Sequence, residues 1–584
     1  MLAQSPQISD TEGIRRQLEK ILSHKAFRES GAPARLLRFT VEQTLAGRGA
    51  EIKEYTLGAS VLGRGDKFDP KLDTIVRVQF RRLRVKLEQY YCTDGKADQI
   101  LITYEKGRYV PQIRVRGVET ASPATPSSIA VLPFTDLSGK PDEAYFGEGL
   151  AEELIHGLSR IPTLKVVART SAFQFRGSGT DVREIGRRLG VQTVMEGSVR
   201  RVGDLLRLGV RLINAADGFT LWSSLYERGA EDIFAVQEEL AQAIISTLGP
   251  QLGAGIGEVV RPRSMRDVDA YHLYLRGRHQ WNQLGPESLQ RAIQCFREVI
   301  ARDPSYAPAY AGLADCYIAL ADSGYSSPNE VMPKAKQAGV QAIALDPALG
   351  EAHTSLAKVT EGYEWRVTEA ESMYLRAIGL NPGYATAHYW YGMYLDSSGR
   401  HAEAFDEIRR AQLLDPLSPM INWAAGHMLE VEGRQTEAME QYRRADDLIP
   451  RNIDTLRYLM LGAARIGRYG DVEVVLREGE LARNDVVSQI VLAGIHGAHG
   501  RINEGLQLLE RVERRVASVY VPPIQISTAY LMLGQADRAF AWLDEALIQR
   551  DSQLLSLGSD PFFQSLRTDP RFQRLLERVA SIKQ

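Results

Sequence analysis

The sequence predicts a multi-domain chain: an α+β segment, then an α/β domain, then an all-α solenoid of paired helices. Three observations carry this. Positive charge gathers in the first 116 residues, strand and helix patterns alternate through the next stretch, and prolines recur at a fixed period in the C-terminal half. The length of 584 residues fits about three to five domains at ~100–200 residues each.

Composition bounds the classes. Hydrophobic residues are 44% and charged residues 25%, which excludes a mostly disordered or collagen-like chain. The net charge of −2 excludes a strong whole-chain field toward nucleic acid or membrane, so any such tendency is local. Cys92, Cys295 and Cys316 lie far apart and outside CxxC spacing, which supports neither a disulfide framework nor a zinc ribbon and fits a reducing cytoplasm. The N-terminus has no basic and apolar leader pattern. The longest uncharged stretch, 240–257, holds four glycines and Pro250, so no membrane span and no membrane partner are expected.

Residues 1–116 hold 22 Lys+Arg against 14 Asp+Glu, a balance of +8, and the rest of the chain stands at −10. This marks the N-terminal segment as a separate unit suited to a polyanion. Residues 33–47 and 54–62 read as helices. In 74–87, Val76, Phe80, Leu83 and Leu87 form one helical stripe facing a core. Arg77, Arg81 and Arg84 form a second stripe, and Gln79, Arg82 and Lys86 a third. Such donors suit phosphates and base edges, since Arg can fork onto guanine and Gln onto adenine. Residues 100–104 and 108–113 then flank Glu105-Lys106-Gly107 as a hairpin. Three helices and a hairpin make a winged helix-turn-helix.

Val76–Leu87 resembles the recognition helix of OmpR-type winged-helix domains, and Ile102–Tyr109 resembles their wing. The resemblance implies double-stranded DNA as partner. It would place Arg77, Gln79, Arg81, Arg82, Arg84 and Lys86 at the major groove or its rim, and Lys106 and Arg108 at the minor groove or backbone. The wing departs from the family in carrying Lys106-Gly107-Arg108-Tyr109.

Residues 117–128 are small, polar and proline-rich, a linker by composition. Residues 129–252 read as an α/β domain: strands at 129–134 and 164–168, a helix at 148–160, and a helix opened by Asp181 and stopped by Gly190. Three strands follow at 194–202, 205–214 and 219–226, then a closing helix at 231–248. Ile129–Phe134, Tyr145–Leu150, Glu196–Arg200 and Leu221-Trp222 resemble the TolB-type amino-terminal domain, of which only the fold carries over. A second linker covers 253–266.

From 267 to 584 the chain reads as helical and repetitive. Pro347, Pro382, Pro416 and Pro450 are spaced 35, 34 and 34 residues apart. That period of paired helices is the signature of tetratricopeptide repeats. Residues 385–416 resemble that family closely: Tyr391-Gly392 as a bulky-then-small pair, Gly399 as the turn, Ala404 and Ala411 as small contacts, Pro416 as the close. Roughly seven or eight units are expected, with an insertion near 322–333. The resemblance implies a concave face that could take a protein or peptide; by the 34-residue register Tyr389, Met393, Trp423 and His427 fall on it, either for such a ligand or to pack neighbouring repeats.

The three segments in this order resemble bacterial multi-domain proteins, some of them CadC-like regulators, and relatives of the array occur fused to nucleotide cyclases. No cyclase domain has room here. No phosphate-binding GxxxxGK[ST] occurs, Gly253–Gly257 lacks GxGxxG spacing, and Ser198 has no GxSxG context. His496 and His499 read as solvated histidines at a helix end rather than metal ligands, and Glu148, Glu152 and Glu153 as a solvated helix start. No cofactor and no enzyme activity are expected. The expected function is a cytoplasmic DNA-binding transcription regulator whose repeats bind a protein or peptide signal. The alternative is a scaffold whose winged helix binds protein. Dimerisation stays open, since winged helices often bind in pairs.

Overall fold

A computed structural model describes residues 11–582 apart from 29–30, 47, 49–50, 66–67, 70–72, 93, 96–97, 99, 105–108, 116–126, 139–143, 203–204, 230–231, 253–264, 266, 449–466, 471–484, 517–519 and 559. The chain divides into two compact units, Met1–Thr125 and Pro126–Gln584.

The first unit contains helices α1 (Thr11–Ser23), α2 (Lys25–Arg28), α3 (Gly31–Leu45), α4 (Glu54–Thr56) and α5 (Ile75–Cys92). A wider helical turn, Leu57–Val61, continues α4. Strands β1 (Ile100–Thr103) and β2 (Gln112–Val115) pair antiparallel, Ile100 opposite Val115. The second strand starts four residues later than the sequence pattern suggests. Pro111 has no N–H to give a ladder, so pairing begins after it. Helix α1 is an addition to the three-helix reading: Ile14, Leu18 and Ile21 form a buried stripe at helical spacing. They join Leu37, Val76, Phe80, Leu83 and Tyr104 in one core. Buried Asp98 ties this core together, accepting from Gln17 Nε2 and Tyr90 Oη at 2.6 Å each and pairing with Lys20.

The second unit opens with a sheet of β3 (Ser127–Val131), β4 (Thr135–Asp136), β5 (Leu164–Val166), β6 (Thr193–Val202), β7 (Leu205–Asn214) and β8 (Thr220–Gly229). Its order is β5-β3-β6-β7-β8, with β4 beside β6. The first pairings are parallel and the β6-β7-β8 run is antiparallel. Helices α6 (Ala144–Ser159), α7 (Arg169–Ala172), α8 (Val182–Leu189) and α9 (Ile233–Leu252) accompany it. Asp181 caps α8 by accepting from Arg183 N at 2.8 Å, and Gly190 ends it at φ 62°.

The solenoid pairs α10 (Val268–Trp281) with α11 (Pro286–Arg302), α12 (Ala307–Asp322) with α13 (Pro328–Leu345), α14 (Gly350–Gly362) with α15 (Val367–Leu380), and α16 (Ala385–Ser397) with α17 (His401–Leu414). Then come α18 (Pro419–Val431) with α19 (Gln435–Leu448), α20 (Val486–Ala498) with α21 (Ile502–Val516), α22 (Pro523–Met532) with α23 (Ala536–Ile548), and a last helix α24 (Pro570–Ile582). These are seven helix pairs among the described residues. The turns at Gly399, Gly433, Gly467, Gly500 and Gly534 all have φ between 72° and 77°. Each is a left-handed turn that glycine enters without steric cost, repeated at the 34-residue period. Helix contact needs glycine too: a Cβ on Gly426 would lie 2.6 Å from the Tyr442 ring.

The solenoid also folds back on itself. Ser327 Oγ donates to Gln549 Oε1 at 2.5 Å, and Asn329 Nδ2 donates to Ile548 O at 2.9 Å. Trp365, fully buried, sits in one apolar cluster with Phe540, Leu543, Phe563 and Phe572. Its left-handed backbone, φ 59°, is held there by that packing and by Trp365 Nε1 donating to Gly362 O at 3.0 Å.

Candidate nucleic-acid interface and repeat chamber

Helix α5 is set by its apolar stripe. Val76, Phe80 and Leu83 are fully buried, and Phe80 meets the Tyr104 and Tyr109 rings edge-on at 5.4 and 4.8 Å. The opposite face therefore points outward. Arg81 and Arg82 are exposed, and Arg84 and Lys86 are half-buried. Arg77 is exposed but held: its Nε donates to Glu54 Oε1 at 2.8 Å and its Nη2 to Glu54 Oε2 at 3.3 Å, which raises the guanidinium pKa and clips α5 to α4. Gln79 does not stand with the outward donors. It is 9% exposed, because three residues from Val76 and four from Leu83 it falls on the flank of the core stripe. Lys106 and Arg108 lie outside the described residues.

Sequence reasoning misses two residues of the outward face. Val78 and Val85 are 42% and 57% exposed and bracket Arg81 and Arg82 at helical spacing. Their signal is present: apolar residues off the core stripe of an amphipathic helix need a reason to be there.

In the second unit, the acids at the start of α6 are not solvated. Glu148 is 5% and Glu152 3% exposed, and Glu153 is half-buried. The correction has a plain cause: the solenoid covers this part of the helix and supplies cations. Glu152 accepts from Arg278 Nε and meets Arg169 Nε, both at 2.9 Å, and accepts from Asn282 Nδ2 at 3.2 Å. Burial alone would raise the Glu152 carboxyl, but Arg278 and Arg169 offset it and hold it at about 2. Arg278 also reaches Asp315 at 3.5 Å, and Glu148 pairs with Arg176 and with His279 at 3.2 Å. A second seam lies at Ser171, which donates to Asp415 and accepts from Leu417 N at 2.8 Å, next to Ala168 N donating to Leu414 O at 2.8 Å. Sheet domain and solenoid are thereby one body, and a single apolar cluster runs from Ile129 to Val359.

On the concave side of the solenoid, residues of α16, α18, α20 and α22 and of the turns at 553–562 line a cavity of about 540 Å³. Met393, Trp423 and His427, three of the four residues expected on the concave face, line it. His427 is 8% exposed and its Nε2 lies 3.0 Å from Asp396 Oδ2. Tyr389 is not among the lining residues; it packs with Ala385 and Ile421, and burial pushes its hydroxyl up to about 12. His496 is not solvated either: its side chain is 12% exposed, with Glu504 at 3.8 Å. Among the described residues no group of three metal-ligating side chains occurs, and no helix is long and apolar enough to cross a membrane.

Residues 125–243 match the family of HilA/YgeH-like transcriptional regulators, second domain, and residues 366–419 match the tetratricopeptide repeat family. A Rhizobium meliloti protein named "Putative adenylate cyclase 3" is 42% identical over 200 residues, 34% of each chain. The transcriptional regulator HilA of Salmonella typhimurium is 30% identical over 152 residues, 26% of this chain and 27% of its own. The chain thus spans about a third or less of the length of these relatives. Among solved structures, a thermophilic TPR protein of Thermus thermophilus is 20% identical over 32% of this chain and 96% of its own, with a TM-score of 0.28. The chain contains a HilA-like regulator domain, here the small sheet domain, followed by a solenoid of tetratricopeptide repeats.

Proposed function

We propose that the protein is a DNA-binding transcription regulator, in which the first unit is a winged helix of OmpR/CadC type and the solenoid receives a protein or peptide signal. The outward face of α5 carries this reading. Arg81 and Arg82 stand exposed on a helix whose opposite face is locked into a core, and Arg84 and Lys86 extend the same basic surface. Arg77 and the wing residues Lys106 and Arg108 would reach phosphate. Gln79 is left out of base reading because it is buried. Val78 and Val85 fit contact with thymine methyl groups in the major groove. The HilA-like domain supports a role in transcription. The sheet domain, TolB-like in this reading, serves as the joint between signal and DNA. The cytoplasm as location and a homodimer on paired half-sites belong to the same proposal.

Selection of genomic fragments with the full-length protein tests it. A shared motif should be enriched, and affinity should fall with salt by a log–log slope of about −0.9 per phosphate neutralised. Arg81→Ala with Arg82→Ala should weaken binding by an order of magnitude or more. No enrichment and no salt dependence would sink the DNA reading.

A second reading is favoured by Val78 and Val85: an apolar pair on that face also suits a protein partner, making the chain a scaffold. It predicts capture of a protein that Val78→Ser and Val85→Ser abolish, with no retention on DNA. Neither reading assigns catalysis to this chain. The name of the Rhizobium relative makes ATP turnover by the purified protein the measurement that would overturn this.

A further inference from the structure

Arg77 is the first cation along α5. It lies in the first turn, where the helix dipole disfavours a positive charge, and no acidic residue of α5 accompanies it there. Its counter-charge comes from α4 instead. Glu54 Oε1 and Oε2 accept from Arg77 Nε and Nη2 at 2.8 and 3.3 Å, so the carboxylate grips one edge of the guanidinium.

Tyr109 joins the pair from a third element. It sits in the segment between β1 and β2, with its ring edge-on to Phe80 at 4.8 Å. Burial pushes its hydroxyl up, the Glu54 charge adds to this, and a hydrogen bond with Arg77 opposes it. The hydroxyl therefore lies against both partners. The pose of Arg77 is set from α4, from α5 and from the β1–β2 segment together.

Stability of the fold does not account for this arrangement. The Arg77 side chain is 57% exposed and that of Glu54 18%. An ion pair so open to water adds little to folding. What a two-bond contact does fix is direction. A loose arginine samples many rotamers and a forked one few, so less entropy is lost when it meets a ligand. A guanidinium has five N–H donors, so one gripped along one edge can still donate elsewhere. Arg77 also shares a flank of α5 with Arg81 and Arg84, four and seven residues on, and so heads a row of cations along the helix.

We propose that Glu54 is a positioning residue of the DNA interface: with Tyr109 it aims Arg77 at one backbone phosphate and so sets the register of α5 in the major groove. This deepens, and rests on, the reading of the first unit as a DNA-binding winged helix. A phosphate contact carries no sequence information of its own, but it fixes where the base-reading side chains fall. Any acid near DNA repels phosphate and weakens binding to every sequence alike. A positioning acid also raises the preference for the right sequence. The ratio of specific to random affinity separates the two roles.

The test compares a motif duplex, selected from genomic fragments, with a random-sequence duplex, on the full-length protein and its variants. Glu54→Gln removes a negative charge, so random binding should rise a few-fold, while the motif-to-random ratio should fall roughly tenfold. Arg77→Lys keeps the charge but cannot fork. It should lower the ratio as far with the salt slope unchanged, and it serves should Glu54→Gln melt early. In an Arg77→Ala background, Glu54→Gln should change the ratio no further. Ethylation of single phosphates along the motif reads the contact itself: one phosphate should matter to the native chain and cease to matter in Arg77→Ala and Glu54→Gln. A ratio that holds or rises in Glu54→Gln overturns the positioning role and makes Glu54 a competitor for Arg77. An equal fall in the Arg77→Ala background overturns it too, since Glu54 then acts elsewhere, and so does the absence of any such phosphate. If the native chain enriches no motif, the DNA reading falls and this inference with it.

Discussion

Arg81 and Arg82 on α5 stand in solvent, whereas Arg169 and Arg278 in the second unit are sunk against Glu152, their side chains 18% and 11% exposed. The same residue type therefore has two roles. An exposed guanidinium keeps its hydration and its field for a ligand outside the fold. A buried one is committed, since its desolvation is offset only by the carboxylates that face it. The difference teaches that a basic patch in a sequence is informative only once its acids are located. The acids of α6, far away in sequence, answer Arg278, and among the described residues no acid pairs with Arg81 or Arg82.

The comparison breaks most sharply at Arg278. Arg278→Ala leaves Glu152 with Arg169 and Asn282 alone and takes from buried Asp315 the cation that faces it, and should cost about 3–5 kcal/mol in chemical unfolding. A loss below about 1 kcal/mol would mean that the joint is wet and the contrast with α5 is false.

Asp415 sharpens it. Burial, only partly opposed by hydrogen bonds from Ser171 and Thr170, pushes its carboxyl up to about 6. An acid that holds its proton more tightly when folded costs stability once ionised. Stability should therefore fall as pH rises from about 4 through 6. Asp415→Asn should gain roughly 2–3 kcal/mol over the native chain at pH 8, and the gain should vanish near pH 4. A gain that is constant with pH would show that this seam does not titrate.

Gly426 probes the solenoid without touching charge. Gly426→Ala drives a Cβ toward the Tyr442 ring and should cost about 1–3 kcal/mol in thermal unfolding. An unchanged melting temperature would show that the α18–α19 contact gives way freely. The smallest effect belongs to the exposed arginines. Arg81→Ala with Arg82→Ala should leave the unfolding midpoint where it is, while DNA retention drops. A destabilised variant would place these side chains in the fold's own packing and end the contrast.

Much is legible in the sequence because it is local and periodic. The left-handed glycine turns 33–34 residues apart, the Asp181 cap with Gly190, and the Val76–Phe80–Leu83–Leu87 stripe each follow from neighbours along the chain. The β6-β7-β8 strands fall within a few residues of their alternating pattern for the same reason. What is not legible depends on distant partners. Glu148 and Glu152 read as a solvated helix start until Arg278, more than a hundred residues on, covers them. Gln79 reads as a donor because helical stripes are drawn by charge, while burial is decided by how widely the core grips the helix. The α1 stripe is legible in the same local way, yet the three-helix reading leaves it out. Val78 and Val85 are visible in the sequence but have no direction until Phe80 fixes the opposite face.

By itself the sequence determined the kinds of element and their order: a basic α+β unit, a small mixed sheet, and paired helices every 34 residues. Hydrophobic period, caps and glycine turns act within a few residues, so they survive without coordinates. Only the tertiary structure decided that sheet domain and solenoid are one body, that residue 327 meets residue 549, and that side chains of successive repeats line one cavity. Those outcomes follow from contacts made across two hundred residues, where packing and charge pairing, rather than local preference, choose the partner.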